Sequence, residues 1–251
     1  MISIKNKDAI RKMGIAGAML AEVFDELKEV IREHVTTLDI DTYVAKALHK
    51  RGMKSTTKGY MGYKHVCCVS LNDEVVHGVP SVQRVLRAGD LVKVDICASL
   101  NGYCADMARP FFIGTEMPQN IQKFVAVAQR ALDAGIAQVQ VGSRLTNISA
   151  AVQREVEREG FSVVRDFAGH GIGKNMHEEP EILNYGVSGK GPIMQSGMAF
   201  AIEPMITVGS YEIFIDQDDW TAKTVDGSLA MHVEDTVIVT ENGPMIVTRN
   251  I

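Results

Sequence analysis

Apolar residues in the first thirty-odd positions recur in steps of three and four: Ile10, Met13, Gly17, Leu20, Phe24, Leu27 and Ile31. That spacing lines one face of a helix, and the charged Glu22, Asp25, Glu26, Lys28 and Glu29 fall off it. A second helix is predicted over about 38–51, with Ile40, Val44 and Leu48 on one side and Gly52 as its stop. Strand-like runs follow at 65–71, 91–100 and 103–113. Pro118 then opens a third helix carrying Ile121, Phe124, Val125, Ala128 and Leu132. Ser143 is a candidate cap for a fourth, striped by Leu145, Ile148, Val152 and Val156 and ended by Gly160. Strand patterns resume at 161–167, 198–208 and 230–240, with a last short one near 245–249.

The order helix, helix, strands thus occurs twice, with no clear sequence repeat between the two parts. It predicts an α+β fold in which one domain, 1–251, is built from similar halves of about 1–117 and 118–251. Sites often form where such halves meet. The Gly-rich segment 169–193 reads as a long functional loop.

Composition narrows the class. With 46% apolar and 23% charged residues the chain is neither disordered nor low in complexity. No run approaches the ~18 apolar residues a membrane span needs. A net charge of −5 excludes a generally basic surface, so neither a membrane nor direct nucleic-acid binding is expected. Cys67, Cys68, Cys97 and Cys104 include no C-x-x-C pair and read as reduced, buried thiols. Lys5, Lys7, Arg11 and Lys12 before the apolar run 15–21 mimic a signal peptide. The helical stripe runs well past any cleavage site, which predicts a cytoplasmic chain without a targeting segment.

Asn101-Gly102 between two apolar runs is a strong signal for a two-residue hairpin. Such a turn sets Leu100 against Tyr103, Cys97 against Asp106 and Asp95 against Ala108. Asp95 and Asp106 then share a face as diagonal neighbours, roughly 7–8 Å apart at the backbone. Two carboxylates so placed on a mostly apolar hairpin repel unless a cation lies between them. Glu203 and Glu234 also interrupt apolar strand patterns, and His170 stands among glycines in Gly169-His-Gly-Ile-Gly173. Four acids and one imidazole suit divalent cations, with charge enough for two.

The ordered set Asp95, Asp106, His170, Glu203 and Glu234 resembles the metal ligands of the type I methionine aminopeptidases. The resemblance spans the whole chain through Val76-His-Gly-Val-Pro80, Lys93-Val-Asp95, Gly102-Tyr-Cys-Ala-Asp106, Gly169-His-Gly-Ile-Gly173, His177-Glu-Glu-Pro180 and Ala201-Ile-Glu-Pro204. It implies the two-halved pita-bread fold, with antiparallel sheets covered by helices. It also implies two metals bridged by Asp106 and Glu234, one completed by Asp95 and the other by His170 and Glu203. By the same resemblance His77 contacts the substrate at the scissile bond and His177 contacts its backbone or reacting carbonyl. Glu203 doubles as a candidate proton shuttle. Tyr60, Tyr63, Cys68 and Trp220 line the methionine pocket, and Trp220 is the most telling because its sequence neighbours are polar.

The implied activity is removal of the N-terminal methionine from nascent polypeptides whose second residue is small. The metal is Co, Mn, Fe or Zn, the ribosome is a candidate partner, and a monomer is the default. Three places depart from the usual family pattern. Met176 stands where Phe is common, and Lys64-His65 follows the second tyrosine. In His232-Val-Glu-Asp235, many members have Gln and His in place of His232 and Asp235. His232 shares the strand face of Glu234, and its role stays open between metal site and ordinary strand packing. Two rivals use the same fold: X-Pro aminopeptidases and prolidases, which carry an extra N-terminal domain for which this chain has no room, and metal-free binding proteins, which lose ligands.

Overall fold

The computed structural model describes residues 2–249. Helix α1 spans Lys7–Val30, and Asn6 Oδ1 caps it by accepting the Ala9 N–H at 2.9 Å. Helix α2, Thr37–Lys50, opens with a capping box in which Thr36 and Asp39 satisfy one another's backbone N–H. It ends before Gly52, whose φ of +68° an ordinary residue would resist. Strands β1 (Lys54–Ser55), β2 (Cys68–Leu71), β3 (Glu74–Val76), β4 (Leu91–Leu100) and β5 (Tyr103–Phe112) follow. Helices α3 (Gln119–Ile136) and α4 (Thr146–Arg158) come next, and Pro118 sits at the mouth of α3 as expected. The remaining strands are β6 (Ser162–Val163), β7 (Gly169–Gly171), β8 (Glu178–Ile182), β9 (Ala199–Ile202), β10 (Met205–Thr207), β11 (Ile213–Ile215), β12 (Ala222–Thr224), β13 (Ala230–His232), β14 (Glu234–Thr240) and β15 (Gly243–Ile246).

Nine strands form one antiparallel sheet in the order β1-β4-β5-β14-β9-β7-β8, with β2 on β4 and β15 on β14. Strands from the two parts of the chain meet at the β5–β14 seam. Two three-stranded ribbons, β13-β10-β6 and β11-β12-β3, complete the structure.

Period-two alternation sorts the faces of the large sheet. Val92, Val94, Ile96 and Ala98 of β4, with Ala105 and Met107 of β5, pack under α1 and α2. Phe200 and Ile202 of β9, with Val237 and Val239 of β14, pack under α3 and α4. The intervening positions, Asp95, Asp106 and Glu234 among them, face the other way, which separates the acids from the apolar layer. Among the described residues no helix is long and apolar enough to cross a membrane. All four cysteines are free and buried.

Several expected boundaries shift, each for a local reason. Ser143 does not cap α4; the residue before that helix is Leu145, without a side-chain cap bond. The segment is drawn into extended pairing instead, with the Met194 N–H donating to Ser143 O at 2.8 Å and the Leu145 N–H to Pro192 O at 3.0 Å. The strand expected over 65–71 begins only at Cys68, because Asp41 on α2 takes the N–H groups of Val66 and Cys67 and the ring of His65. The run 161–167 is a strand only over Ser162–Val163. The runs 198–208 and 230–240 each break in two, at Glu203-Pro204 and at Val233, so that each feeds two sheets. The short terminal strand lies earlier than 245–249. The supposed loop 169–193 contains the antiparallel pair β7–β8.

Candidate metal centre

The β4–β5 hairpin has the predicted register, with Leu100 opposite Tyr103, Cys97 opposite Asp106 and Asp95 opposite Ala108. Asn101 and Gly102 take φ of +52° and +80°, the left-handed pair that a two-residue turn of this twist requires. On β14, Glu234 pairs with the same Ala108, so Asp95, Ala108 and Glu234 form one row across three strands. Asp106 lies two residues before Ala108 on β5. Its N–H donates to Thr236 Oγ1 at 2.8 Å, and that hydroxyl donates back to Asp106 O at 2.9 Å.

His170 comes from the opposite side, on β7, paired with Ala201 of β9. Its flanking glycines allow the close approach. A Cβ on Gly171 would lie 2.1 Å from Glu179 O, and one on Gly169 would lie 2.5 Å from Ala201 O. His170 Nδ1 donates to Gly171 O at 2.9 Å, because a carbonyl can only accept. That leaves the Nε2 lone pair facing Glu203 Oε1 at 3.5 Å and Asp106 Oδ2 at 3.9 Å. Glu203 stands just beyond β9, where Pro204 follows.

These groups form the floor of a cavity of about 190 Å³, which His77, His177, Tyr60, Tyr63, Cys68 and Trp220 also line, whereas Lys64, His65 and His232 do not. Tyr63 is buried, its ring 4.9 Å from that of Trp220, and its hydroxyl faces the carbonyls of Cys67 and Gly78. Cys68 sits directly across from Asp95. His77 follows β3 at φ +60° and packs edge-on against Phe167. Exposed His177 lies at the mouth. Its Nδ1 is 3.0 Å from the Tyr60 hydroxyl and its ring is 4.4 Å from that of His170. Met176 completes a wall, as its departure from Phe suggested.

Burial dominates the electrostatics. It pushes the carboxyls of Asp95, Glu203 and Glu234 well above their usual range, with neighbouring acids adding to the effect on Asp95 and Glu234. Burial, then the charge of Glu203, raises Asp106 to about 7. The same burial lowers His170 to about 3 and His77 to about 4, so both imidazoles are neutral. Negative charge at these carboxyls lacks compensation from the protein, while the imidazole lone pairs are free.

That combination fits a divalent cation. Donor atoms converge in two triads, Asp106–His170–Glu234 and Glu203–His232–Glu234, each within 4.8 Å. Glu234 Oε1 and His232 Nε2 are buried without a hydrogen-bond partner. Asp95 lines the cavity but belongs to neither triad. Sequence reasoning left out Cys97, Thr57 and Met61 of the lining, and Thr236. Strand parity could have found two of these, since Cys97 shares a face with Asp95 and Thr236 with Glu234. Thr57 and Met61 lie in irregular backbone, where no periodicity points.

The chain is similar along nearly its whole length to known proteins. The model of metallopeptidase family M24 matches residues 11–241. The chain is 45% identical over 248 residues to methionine aminopeptidase of Clostridium acetobutylicum, covering 99% of each. The crystal structure of methionine aminopeptidase from Thermotoga maritima superposes with a TM-score of 0.97 at 41% identity, covering 100% of both chains. An Xaa-Pro dipeptidase from Bacillus anthracis shares the fold at a TM-score of 0.78 and 21% identity, and this chain covers 62% of it.

Proposed function

Since the chain belongs to metallopeptidase family M24, we infer that it is an aminopeptidase removing the N-terminal methionine from polypeptides. The observation that carries this reading is a buried acid-and-imidazole floor directly beneath a small apolar, sulfur-containing pocket. Full-length similarity to methionine aminopeptidases supports it. Two divalent ions (Co, Mn, Fe or Zn) held by Asp95, Asp106, His170, Glu203 and Glu234 would supply Lewis acidity to the methionyl carbonyl and lower the pKa of a bound water toward ~7.

The chain's own residues do the rest. Tyr63, Cys68 and Trp220, with Met176 and Tyr60, enclose an unbranched thioether in soft, apolar contacts and exclude water. His77, neutral and rigid at the end of β3, offers a ring N–H to the scissile amide. His177 offers the ring nitrogen not engaged by Tyr60 to the carbonyl oxygen. Glu203, ionised when metal is bound, would take a proton from the attacking water and pass it to the leaving amine. Substrates are new polypeptides in the cytoplasm, with a small second residue, acted on by a monomer.

The metal-loaded protein is expected to cleave a Met-Ala peptide and leave an X-Pro peptide intact. The reverse preference would move the assignment to the X-Pro enzymes, and no cleavage with no metal bound would move it to a binding protein. His77→Ala is expected to retain its full metal content by elemental analysis while kcat falls by roughly 10²–10⁴. Loss of metal in step with activity would make His77 a ligand.

A further inference from the structure

His232, at the end of β13, is 2% exposed. Its Nε2 lies 3.3 Å from Glu203 Oε2 and 3.9 Å from Glu234 Oε2, and makes no hydrogen bond to either. A direct ion pair would aim an N–H along one of those vectors, and here none is aimed. Glu234 Oε1 is equally without a partner. Leaving such buried atoms unmatched is unfavourable, so a fold that orients them together needs a compensating group. Donors bound to one ion at about 2.0–2.2 Å sit roughly 3.0–3.5 Å apart. The His232–Glu203 separation falls in that range.

Glu203 shows how the two sides relate. Its Oε1 faces His170 Nε2 at 3.5 Å and its Oε2 faces His232 Nε2 at 3.3 Å. One carboxylate therefore stands between two imidazoles that arrive from different strands, β7 and β13. Val233 separates β13 from β14 and keeps His232 and Glu234 on one face.

We propose that His232 is a sixth metal ligand, its Nε2 completing a donor triad with Glu203 and Glu234. This rests on the metal-centre reading above and adds to it a second imidazole. A second nitrogen donor shifts the centre's preference from Mn²⁺ toward Co²⁺, Fe²⁺ and Zn²⁺, which bind imidazole better.

The test uses metal-free protein loaded with Co²⁺, whose unpaired electrons displace the proton resonances of any coordinated imidazole. Wild type is expected to show two displaced imidazoles at full loading. His170→Gln removes one and His232→Gln the other, with far-ultraviolet circular dichroism reporting that each variant is folded. Chelator competition is expected to show Co²⁺ binding weakened by tenfold or more in His232→Gln, with Mn²⁺ binding weakened less. A single displaced imidazole in wild type, which needs no variant, overturns the proposal. So does a second one that survives His232→Gln, or weakened binding with both resonances retained, which makes His232 a positioning residue for Glu203. Failure of wild type to take up Co²⁺ at all overturns the metal-centre reading itself.

Discussion

Glu234 and Asp235 are neighbours on β14, both buried, and they solve the same electrostatic problem in opposite ways. Asp235 points to the helix-covered side. Its Oδ1 accepts from Arg109 and the Thr248 hydroxyl, and its Oδ2 accepts from Arg249. Arg109 also donates to the backbone carbonyl of Glu234. Glu234 points to the cavity, and its Oε1 has no partner. One side supplies two guanidinium groups to a buried carboxylate; the other gathers acids with no cation of its own. A chain able to neutralise Asp235 so fully has left Glu234, Asp106 and Asp95 for something from outside.

The largest test of this contrast removes one charge on the cavity side. Asp106→Asn is expected to lose the metal pair and to lower peptide cleavage by roughly 10³-fold or more, read by elemental analysis and a Met-Ala assay. Full metal content in that variant would break the contrast. On the helix-covered side the effect falls on stability. Asp235→Ala takes a shared carboxylate from Arg109, Arg249 and Thr248, while Arg249 keeps Asp133 and Arg109 keeps two backbone carbonyls, and should cost about 2–3 kcal/mol. The thermal midpoint then drops by about 2–4 °C per kcal/mol with metal content unchanged.

A smaller effect follows from pH. Cavity carboxyls held protonated in the fold ionise near 3.8 (Asp) or 4.5 (Glu) when unfolded, while Asp106 ionises at about 7 in the folded state. Between those values the native state binds more protons than the unfolded one, so stability falls as pH rises. The metal-free protein should therefore lose stability from pH 4 toward 7, by at most about 1.4 kcal/mol per pH unit and group, read as a falling midpoint temperature. Bound metal, which favours the ionised carboxylates, flattens or reverses that slope. A flat profile in the metal-free protein would show that the acids are already compensated. The smallest effect sits on the pocket wall. Trp220→Ala is expected to raise KM for methionyl peptides about tenfold with little change in metal content.

The sequence carried the parts of the site that depend on local parity. Asn101-Gly102 fixed which residues oppose each other on β4 and β5, and therefore that Asp95 and Asp106 share a face. The helical stripes of α1 to α4 were visible because their periods repeat over many residues. What escaped were features decided by partners far along the chain. Ser143 has the side chain of a cap, yet its segment pairs with 192–194 instead. Nothing near Cys67 shows that Asp41, on α2, will bind its N–H and delay β2. Thr236 looks like any strand threonine until β5 lies beside it. The break at Glu203 was foreshadowed by Pro204, which cannot donate to a ladder, although the run around it is apolar throughout.

The β5–β14 seam also bears on how fast the molecule comes apart. It joins residues 130 positions apart through a short ladder and the Asp106–Thr236 bonds. Closing a loop of that length costs chain entropy before the seam's contacts repay it, so those contacts are expected to form after the transition state. Interactions of that kind slow unfolding without speeding folding. A cation held by Asp106 on one strand and Glu234 on the other, as proposed above, would act as a clasp over this seam. The proposed centre would then also set the lifetime of the native state, and a chelator should shorten that lifetime while leaving the refolding rate nearly unchanged.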